Sequence, residues 1–223
     1  MASVLVAYWS GEGQTEKVAA FVEDVLSERG HDCTVQRIDG EETPAVEAYD
    51  AVLVGSPVNS RRHPPAVAAF VEANADALAE RPSGFFQLSL AATVPFAWAQ
   101  GGDREYVDDF VDRTGWHPDR VGSFAGALKY SAYGPIERQL FRVAAAVTTG
   151  DTDTSQDYEY TDWNEVEAFA VEFAEYVEDR LAAAEGTQSD TGRRRRTGVA
   201  AFGLLLGVAG VAYWAARRGM PEC

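Results

Sequence analysis

Lysine is nearly missing from this 223-residue sequence: Lys17 and Lys129 are the whole supply. Cysteine is as scarce, with Cys33 and Cys223 alone. That excludes a disulfide framework and leaves no C-x-x-C for zinc or dithiol chemistry. Positive charge as a whole is outnumbered, 19 Lys+Arg against 35 Asp+Glu, for a formal net charge of −16. A body this acidic repels phosphate backbones, so nucleic acid is not an expected partner. The start, Met1-Ala2-Ser3, lacks a basic stretch and a cleavable apolar run, so no leader peptide is expected. Hydrophobic residues make up 46% and charged residues 24%, which is globular usage and argues against wholesale disorder. No internal repeat is visible.

The charge is uneven along the chain. Residues 193–223 hold six arginines and one acid, hence +5, which leaves −21 on residues 1–192. Acid-rich, lysine-poor surfaces suit very high salt, where screening removes self-repulsion. A salt-loving cytoplasm is therefore expected. Thr197 to Ala216 (TGVAAFGLLLGVAGVAYWAA) carries no charge over twenty residues. At ~1.5 Å per residue it spans ~30 Å, the depth of a hydrocarbon core, so a transmembrane helix is expected. Arginines bracket it, and Tyr213 and Trp214 fall where an interfacial belt lies. The heavier cluster, Arg193–Arg196, puts the preceding domain on the cytoplasmic side of a single-pass membrane protein. Gly203 and Gly207 form G-x-x-x-G, a candidate face for a homodimer. The organisation expected is a domain over 1–181, a linker with its basic cluster over 182–196, the span over 197–216 and a short tail over 217–223.

The soluble part alternates strand and helix patterns. Strands are expected over Ser3–Trp9, Cys33–Ile38, Ala51–Ser56, Gly84–Leu90 and Val121–Leu128. Helical stripes cover Thr15–Arg29, the stretch opened by Pro64 and Pro65 up to Ala75, Asp103–Thr114, Ile136–Val147 and Asp162–Ala184. Asp162 and Glu165 suit the first turn of the last helix. Five strands with helical crossovers predict an α/β fold built on a doubly wound, five-stranded parallel sheet.

Ligands of such sheets bind at the carboxyl ends of the strands. The first loop there is Ser10-Gly11-Glu12-Gly13-Gln14-Thr15. Its glycines allow close backbone approach, and its hydroxyls and helix-start amides suit a phosphate. No Gly-Lys-Ser/Thr follows, so it is no Walker loop, and Gly11-x-Gly13 lacks the third glycine of a dinucleotide fingerprint. The helix holds no nearby arginine, so backbone and hydroxyls are expected to carry the phosphate. The second loop runs from Gly55-Ser56 through Pro57, Val58, Asn59, Ser60, Arg61, Arg62 and His63. The third is Ser89, Leu90, Ala91, Ala92 and Thr93. One phosphate loop flanked by two others resembles the flavodoxin arrangement for flavin mononucleotide (FMN).

Further along, GWHPDRVGSFAGALKY (Gly115–Tyr130), GDTDT (Gly150–Thr154) and YTDWNEVEAFA (Tyr160–Ala170) stand in order. With Gly13-Gln14-Thr15 and YDAVLVGSPVNSRRHPPAVAAFV (Tyr49–Val71), they resemble the flavodoxin-type, menaquinone-dependent protoporphyrinogen IX dehydrogenase family. The resemblance covers about residues 3 to 178. It implies a flavodoxin-like fold and FMN held by residues 10–15, Pro57–Ser60 and Ser89–Ala92. It also implies electron pairs passed from a porphyrinogen to a membrane quinone, three per substrate. One departure is plain: the family carries a basic stretch after the fourth strand, and Val94–Gly102 here has no base. The C-terminal span is an addition. Other donors, such as a reduced nicotinamide or another tetrapyrrole precursor, remain open. So does an anchored flavodoxin that only shuttles electrons between proteins.

The remaining candidates are weaker. Arg61, Arg62 and His63, beside the expected flavin ring, are candidates to meet an anionic substrate group, or Arg61 a reduced flavin. Lys129, after the fifth strand, is a further candidate, with an ion pair to a surface acid as its plainer role. Asp151, Asp153, Ser155 and Asp157 mimic the start of a calcium loop, but Gln156 replaces its glycine and Asp162 its closing glutamate, so no metal is expected. His31 and His117 have no carboxylate or cysteine at ligand spacing. Trp116 and Trp163 are expected to be packing anchors.

Overall fold

The structure is a computed structural model that describes residues 1–38, 45–89, 97–128, 153 and 157–184. Residues 1–178 gather into one compact unit. The run of Val and Leu in β1 (Ser3–Tyr8) is buried on both faces, as are β3 (Ala51–Pro57) and β4 (Ser83–Ser89). Continuous apolar strands of this kind belong to parallel sheets covered on both sides. With β2 (Asp32–Arg37) and β5 (Arg120–Ala125) they pair in the order β2-β1-β3-β4-β5, every neighbour parallel. The chain steps outward from β1 to β2 and then back across to β3. The crevice at that reversal is where such sheets bind ligands.

Helices cover both faces. On one side lie α2 (Pro65–Ala73), the short α3 (Ala75–Ala79) and α4 (Ala97–Thr114). They enclose Leu5, Val52, Val54, Phe85, Phe110 and Trp116 in one core. On the other lie α1 (Gln14–Glu28) and a last helix, α5, over 163–184. Phe85 and Phe86 show the alternation of a strand directly. Phe85 stacks on Phe110 at 4.9 Å, while Phe86 meets Phe169 of α5 at 6.5 Å. Gly55 beside it in β3 has no room for a side chain, because a Cβ there would strike the Phe86 ring.

The five expected strands stand, all parallel in one sheet. Two boundaries differ. The fourth helix starts at Ala97, six residues before the apolar stripe that marks it. The fifth strand does not run on to Leu128. At Gly126 the chain leaves the sheet, and β6 (Ala127–Leu128) pairs antiparallel with β7 (Tyr158–Glu159). Gly126 donates its N–H to Ser89 and accepts from Tyr160, so it serves both sheets at the break. The family-like motifs explain themselves as fasteners. In W-x-P-D-R, Trp116 Nε1 donates to Ser83 Oγ at 3.2 Å, and Asp119 accepts from the Ser83 N–H at 2.9 Å. Arg120 pairs with Glu172 at 2.9 Å and lies over the Tyr176 ring. Asp162 caps α5 by accepting from the Asn164 N–H at 2.9 Å.

Among the described residues no helix is long and apolar enough to cross a membrane. The span 197–216, the linker from 185 on, the helical stretch 136–147, Lys129, Leu90, Ala91 and Ala92 lie outside the described residues.

Candidate functional site

Three strand ends meet at one edge. Trp9, just past β1, donates its N–H to Gly55 in β3, and Val58, just past β3, donates to Leu88 in β4. The loops that follow β1 and β3 therefore start side by side, with Ser89 next in line.

The first loop is built to accept an anion. Gly13 takes the left-handed conformation, φ 84°, and caps α1. Its N–H is held by Ser10 Oγ at 2.9 Å. The first helical bond runs from Lys17 N–H to Gly13, so among the described residues the N–H groups of Gln14, Thr15 and Glu16 have no backbone acceptor. Those donors converge with the helix dipole on the loop. Ser10, Gln14 and Thr15 are all buried. Gln14 Nε2 donates to Thr161 Oγ1 at 3.0 Å, and Thr161 in turn donates to the Ala125 carbonyl at 2.8 Å. Gln14 Oε1 is buried and has no hydrogen-bond partner. A buried amide oxygen left this way is costly, and it awaits a donor such as a ligand hydroxyl.

A cation reaches this loop from outside the helix. Arg37, the last residue of β2, donates Nη2 to the Ser10 carbonyl at 2.6 Å. Backbone and hydroxyls are the groups expected at this loop; β2 runs beside β1 and brings a guanidinium to its end as well. Lys17 is paired with Glu159 at 2.8 Å, and that bond holds the Glu159 carboxyl below its usual range. Burial, then the charge of Glu16, pushes the Tyr8 hydroxyl above its usual range. The free amides, two hydroxyls, orphaned acceptor and nearby arginine fit the phosphate and polyol chain of FMN.

The second loop is a tight turn. Asn59 and Arg62 exchange both backbone hydrogen bonds, at 2.8 and 3.0 Å. Ser60 and Arg61 both sit at positive φ, 50° and 63°. Non-glycine residues adopt this conformation at a cost of about 1–2 kcal/mol each. The turn thrusts Arg61 and Arg62 into solvent, and Arg61 pairs with Glu105 at 3.8 Å. Behind it, His63 is buried and donates Nε2 to Gln87 Oε1 at 2.9 Å, while Gln87 donates to Ser123 Oγ at 3.0 Å. The rings of Phe85 and Phe110 flank the imidazole. Burial lowers the His63 pKa to about 4, so it is neutral at pH 7. Between this loop and α4 lies a cleft of about 270 Å³ lined by Arg61, Arg62, His63, Tyr106, Asp109 and Arg113.

A larger hollow, about 770 Å³, opens between α1 and α5 around Asp24, Glu28 and Glu167. Its acidic rim lies on a helical face away from the strand ends, so it does not suit a phosphate. Trp116 and Trp163 are packing residues as expected: Trp116 is buried at the start of β4, and Trp163 packs on Phe21 at 5.1 Å. His31 differs from expectation, because α5 brings Glu178 to 3.3 Å from its Nε2. Burial pushes the Cys33 thiol up, away from thiolate chemistry. Arg37 is signalled by no local pattern. Thr161 enters only as part of the Thr-Asp-Trp motif, and His63, expected beside the flavin ring in the second loop, is instead buried behind it.

The flavodoxin domain family matches residues 5–155. A protein of Escherichia coli (strain K12) named protoporphyrinogen IX dehydrogenase (quinone) is 31% identical over 170 residues, 76% of this chain and 93% of that one. A protein of Leishmania major with the same name is 29% identical over 171 residues, 76% of this chain and 74% of that one. Among solved structures, a short-chain flavodoxin associated with a bacterial microcompartment aligns at 14% identity and a TM-score of 0.49, over 79% of this chain and 99% of that one.

Proposed function

The chain belongs to the flavodoxin domain family, alongside the protoporphyrinogen IX dehydrogenases (quinone), and on that premise we propose an FMN oxidoreductase that passes electron pairs from protoporphyrinogen IX to a quinone. The observation that carries this reading is the Ser10–Thr15 loop, with its unengaged amides and the buried, unpartnered Gln14 Oε1. Bound FMN supplies the two-electron chemistry. The chain's own residues bind and orient. Ser10, Thr15 and the amides of residues 14–16 hold the phosphate, and Arg37 offsets its charge. Pro57, Val58, Asn59, Ser60 and Ser89 would flank the flavin, together with Leu90, Ala91 and Ala92, which lie outside the described residues. No acid or base of the chain is required.

The uncharged run 197–216 is read as a membrane anchor, with the Arg193–Arg196 cluster keeping the flavin domain cytoplasmic. A lipid quinone such as menaquinone is confined to the bilayer, and anchoring raises its effective concentration at the flavin. The rival reading is an anchored electron carrier, whose acidic body steers toward basic protein partners. Purified, FMN-loaded protein given protoporphyrinogen IX and a quinone under anaerobic conditions separates the two. Multiple turnovers to porphyrin mark the dehydrogenase. A single stoichiometric flavin reduction, relieved only by a partner protein, marks the carrier.

A further inference from the structure

We propose that the cleft between the β3–α2 loop and α4 takes a carboxylate arm of the substrate between Arg62 and Arg113. This rests on the reading of the chain as an oxidoreductase acting on a dicarboxylate tetrapyrrole.

The ground is a charge imbalance in the wrong place for so acidic a protein. Acids outnumber bases 35 to 19 in the chain, and Lys17, Arg29, Arg61 and Arg120 each have a carboxylate within 4 Å. Among the described residues, Arg37, Arg62, Arg81, Arg104 and Arg113 show no carboxylate within 4 Å, and of these Arg62 and Arg113 line the same cleft. Three guanidiniums and one carboxylate, Asp109, surround it. Glu105 offsets Arg61 and Asp109 offsets one of the other two guanidiniums, which leaves the cleft with a net positive charge that an entering anion neutralises. The floor sharpens the effect. Phe110 is buried and Arg113 lies over its ring at 5.5 Å from the centroid. The neutral ring of His63 fills the side toward the sheet. Charge-assisted bonds against such an apolar floor are stronger than in open water.

Size decides which part of the substrate enters. A volume of about 270 Å³ is small for a whole drug-sized ligand. It suits one acid arm, with the macrocycle remaining at the strand ends. Arg62 stands two residues beyond Ser60, so the cleft opens next to the loop assigned to the flavin ring. The stretch Leu90–Gly102, which follows the fourth strand in sequence, holds no charged residue at all. The Arg62–Arg113 cleft therefore supplies the cations that stretch lacks.

The test uses the full chain loaded with FMN and titrated with protoporphyrin IX or its dimethyl ester, followed by porphyrin fluorescence. The variants are Arg62→Gln with Arg113→Gln, the matching Arg→Lys pair, and Asp109→Asn. The proposal expects the Gln pair to weaken the diacid about tenfold or more and to leave the ester unchanged. The Lys pair retains most of the affinity, and Asp109→Asn tightens the diacid. FMN affinity and melting temperature report folding in each variant. Equal loss for diacid and ester, or loss for neither, overturns the proposal. A parallel assay of protoporphyrinogen IX turnover separates it from the functional reading. A wild type that turns over while the Gln pair keeps its KM sinks the cleft alone. A wild type that never turns over, yet loses diacid binding in the Gln pair, sinks the functional reading and leaves the cleft.

Discussion

Gln14 and Thr161 stand 147 residues apart in sequence and share a buried hydrogen bond of 3.0 Å, from Gln14 Nε2 to Thr161 Oγ1. Thr161 passes the link on to the Ala125 carbonyl at the end of β5. The first turn of α1, the end of β5 and the start of α5 are thus tied at one point, directly behind the phosphate loop. Thr161→Val is expected to strand both partners and to cost about 1–3 kcal/mol, read from denaturant unfolding. FMN affinity should fall with it, because Gln14 then loses its fixed position. Thr161→Ser keeps the hydroxyl and should restore most of both.

The loop itself is tested by Ser10→Ala with Thr15→Ala. Two hydroxyl donors are lost, and FMN binding should weaken by at least ~1 kcal/mol, measured by flavin fluorescence. Arg37→Gln should add a further loss that shrinks as salt is raised, because screening weakens an exposed charge. Unchanged affinity in all three would remove the phosphate from this loop.

His63 predicts an acid-side loss of stability. Its ordinary pKa of 6.5 falls to about 4 in the fold. Between those values the unfolded chain binds the proton and the folded chain does not, so the contribution is full above pH 6.5 and lost as pH falls to 4. The drop amounts to about 3 kcal/mol over that window. Unfolding free energies of wild type and His63→Asn, compared at pH 7 and pH 4.5, should converge at the lower pH.

The −21 carried by residues 1–192 predicts a salt response. The Debye length falls to ~3 Å at 1 M, which screens the self-repulsion of the folded body. Melting temperature should climb through a potassium chloride series to molar levels. A flat series would leave the acidic composition without a salt role.

What the sequence made legible was whatever repeats locally. Val4, Leu5 and Val6, or Phe85 and Phe86, announce strands because both faces are buried. Gly11 and Gly13 announce a ligand loop because a helical stripe follows at once. The site's supporting residues have no such local sign. Arg37 matters only because β2 lies beside β1, and Thr161 only because α5 starts under the phosphate loop. Val121–Leu128 reads as one strand since every residue in it, Gly122 and Gly126 included, can adopt extended backbone. Its break is set by partners far away, Ser89 and Tyr160. Glu178 beside His31 is invisible for the same reason. The recognised motifs W-x-P-D-R and T-D-W identified the family, yet most of their side chains fasten the scaffold and do not face the strand-end crevice.

Truncation before Ser189 tests the anchor. It removes the uncharged run and none of the strands or flavin loops. A water-soluble quinone should then be reduced at the full-length rate, and a long-chain menaquinone in liposomes much more slowly. Equal rates with the liposomal quinone would assign the run another purpose, such as pairing through Gly203 and Gly207.

The central claim is a catalytic transfer of electron pairs from a porphyrinogen to a quinone, and its stoichiometry is measurable. FMN-loaded protein in high salt is mixed anaerobically with protoporphyrinogen IX and excess menaquinone analogue. Porphyrin is followed by fluorescence and quinol by absorbance. The account predicts many porphyrins per flavin and three quinols per porphyrin. Porphyrin that forms no faster than without the protein, or quinol that forms without porphyrin, would contradict it.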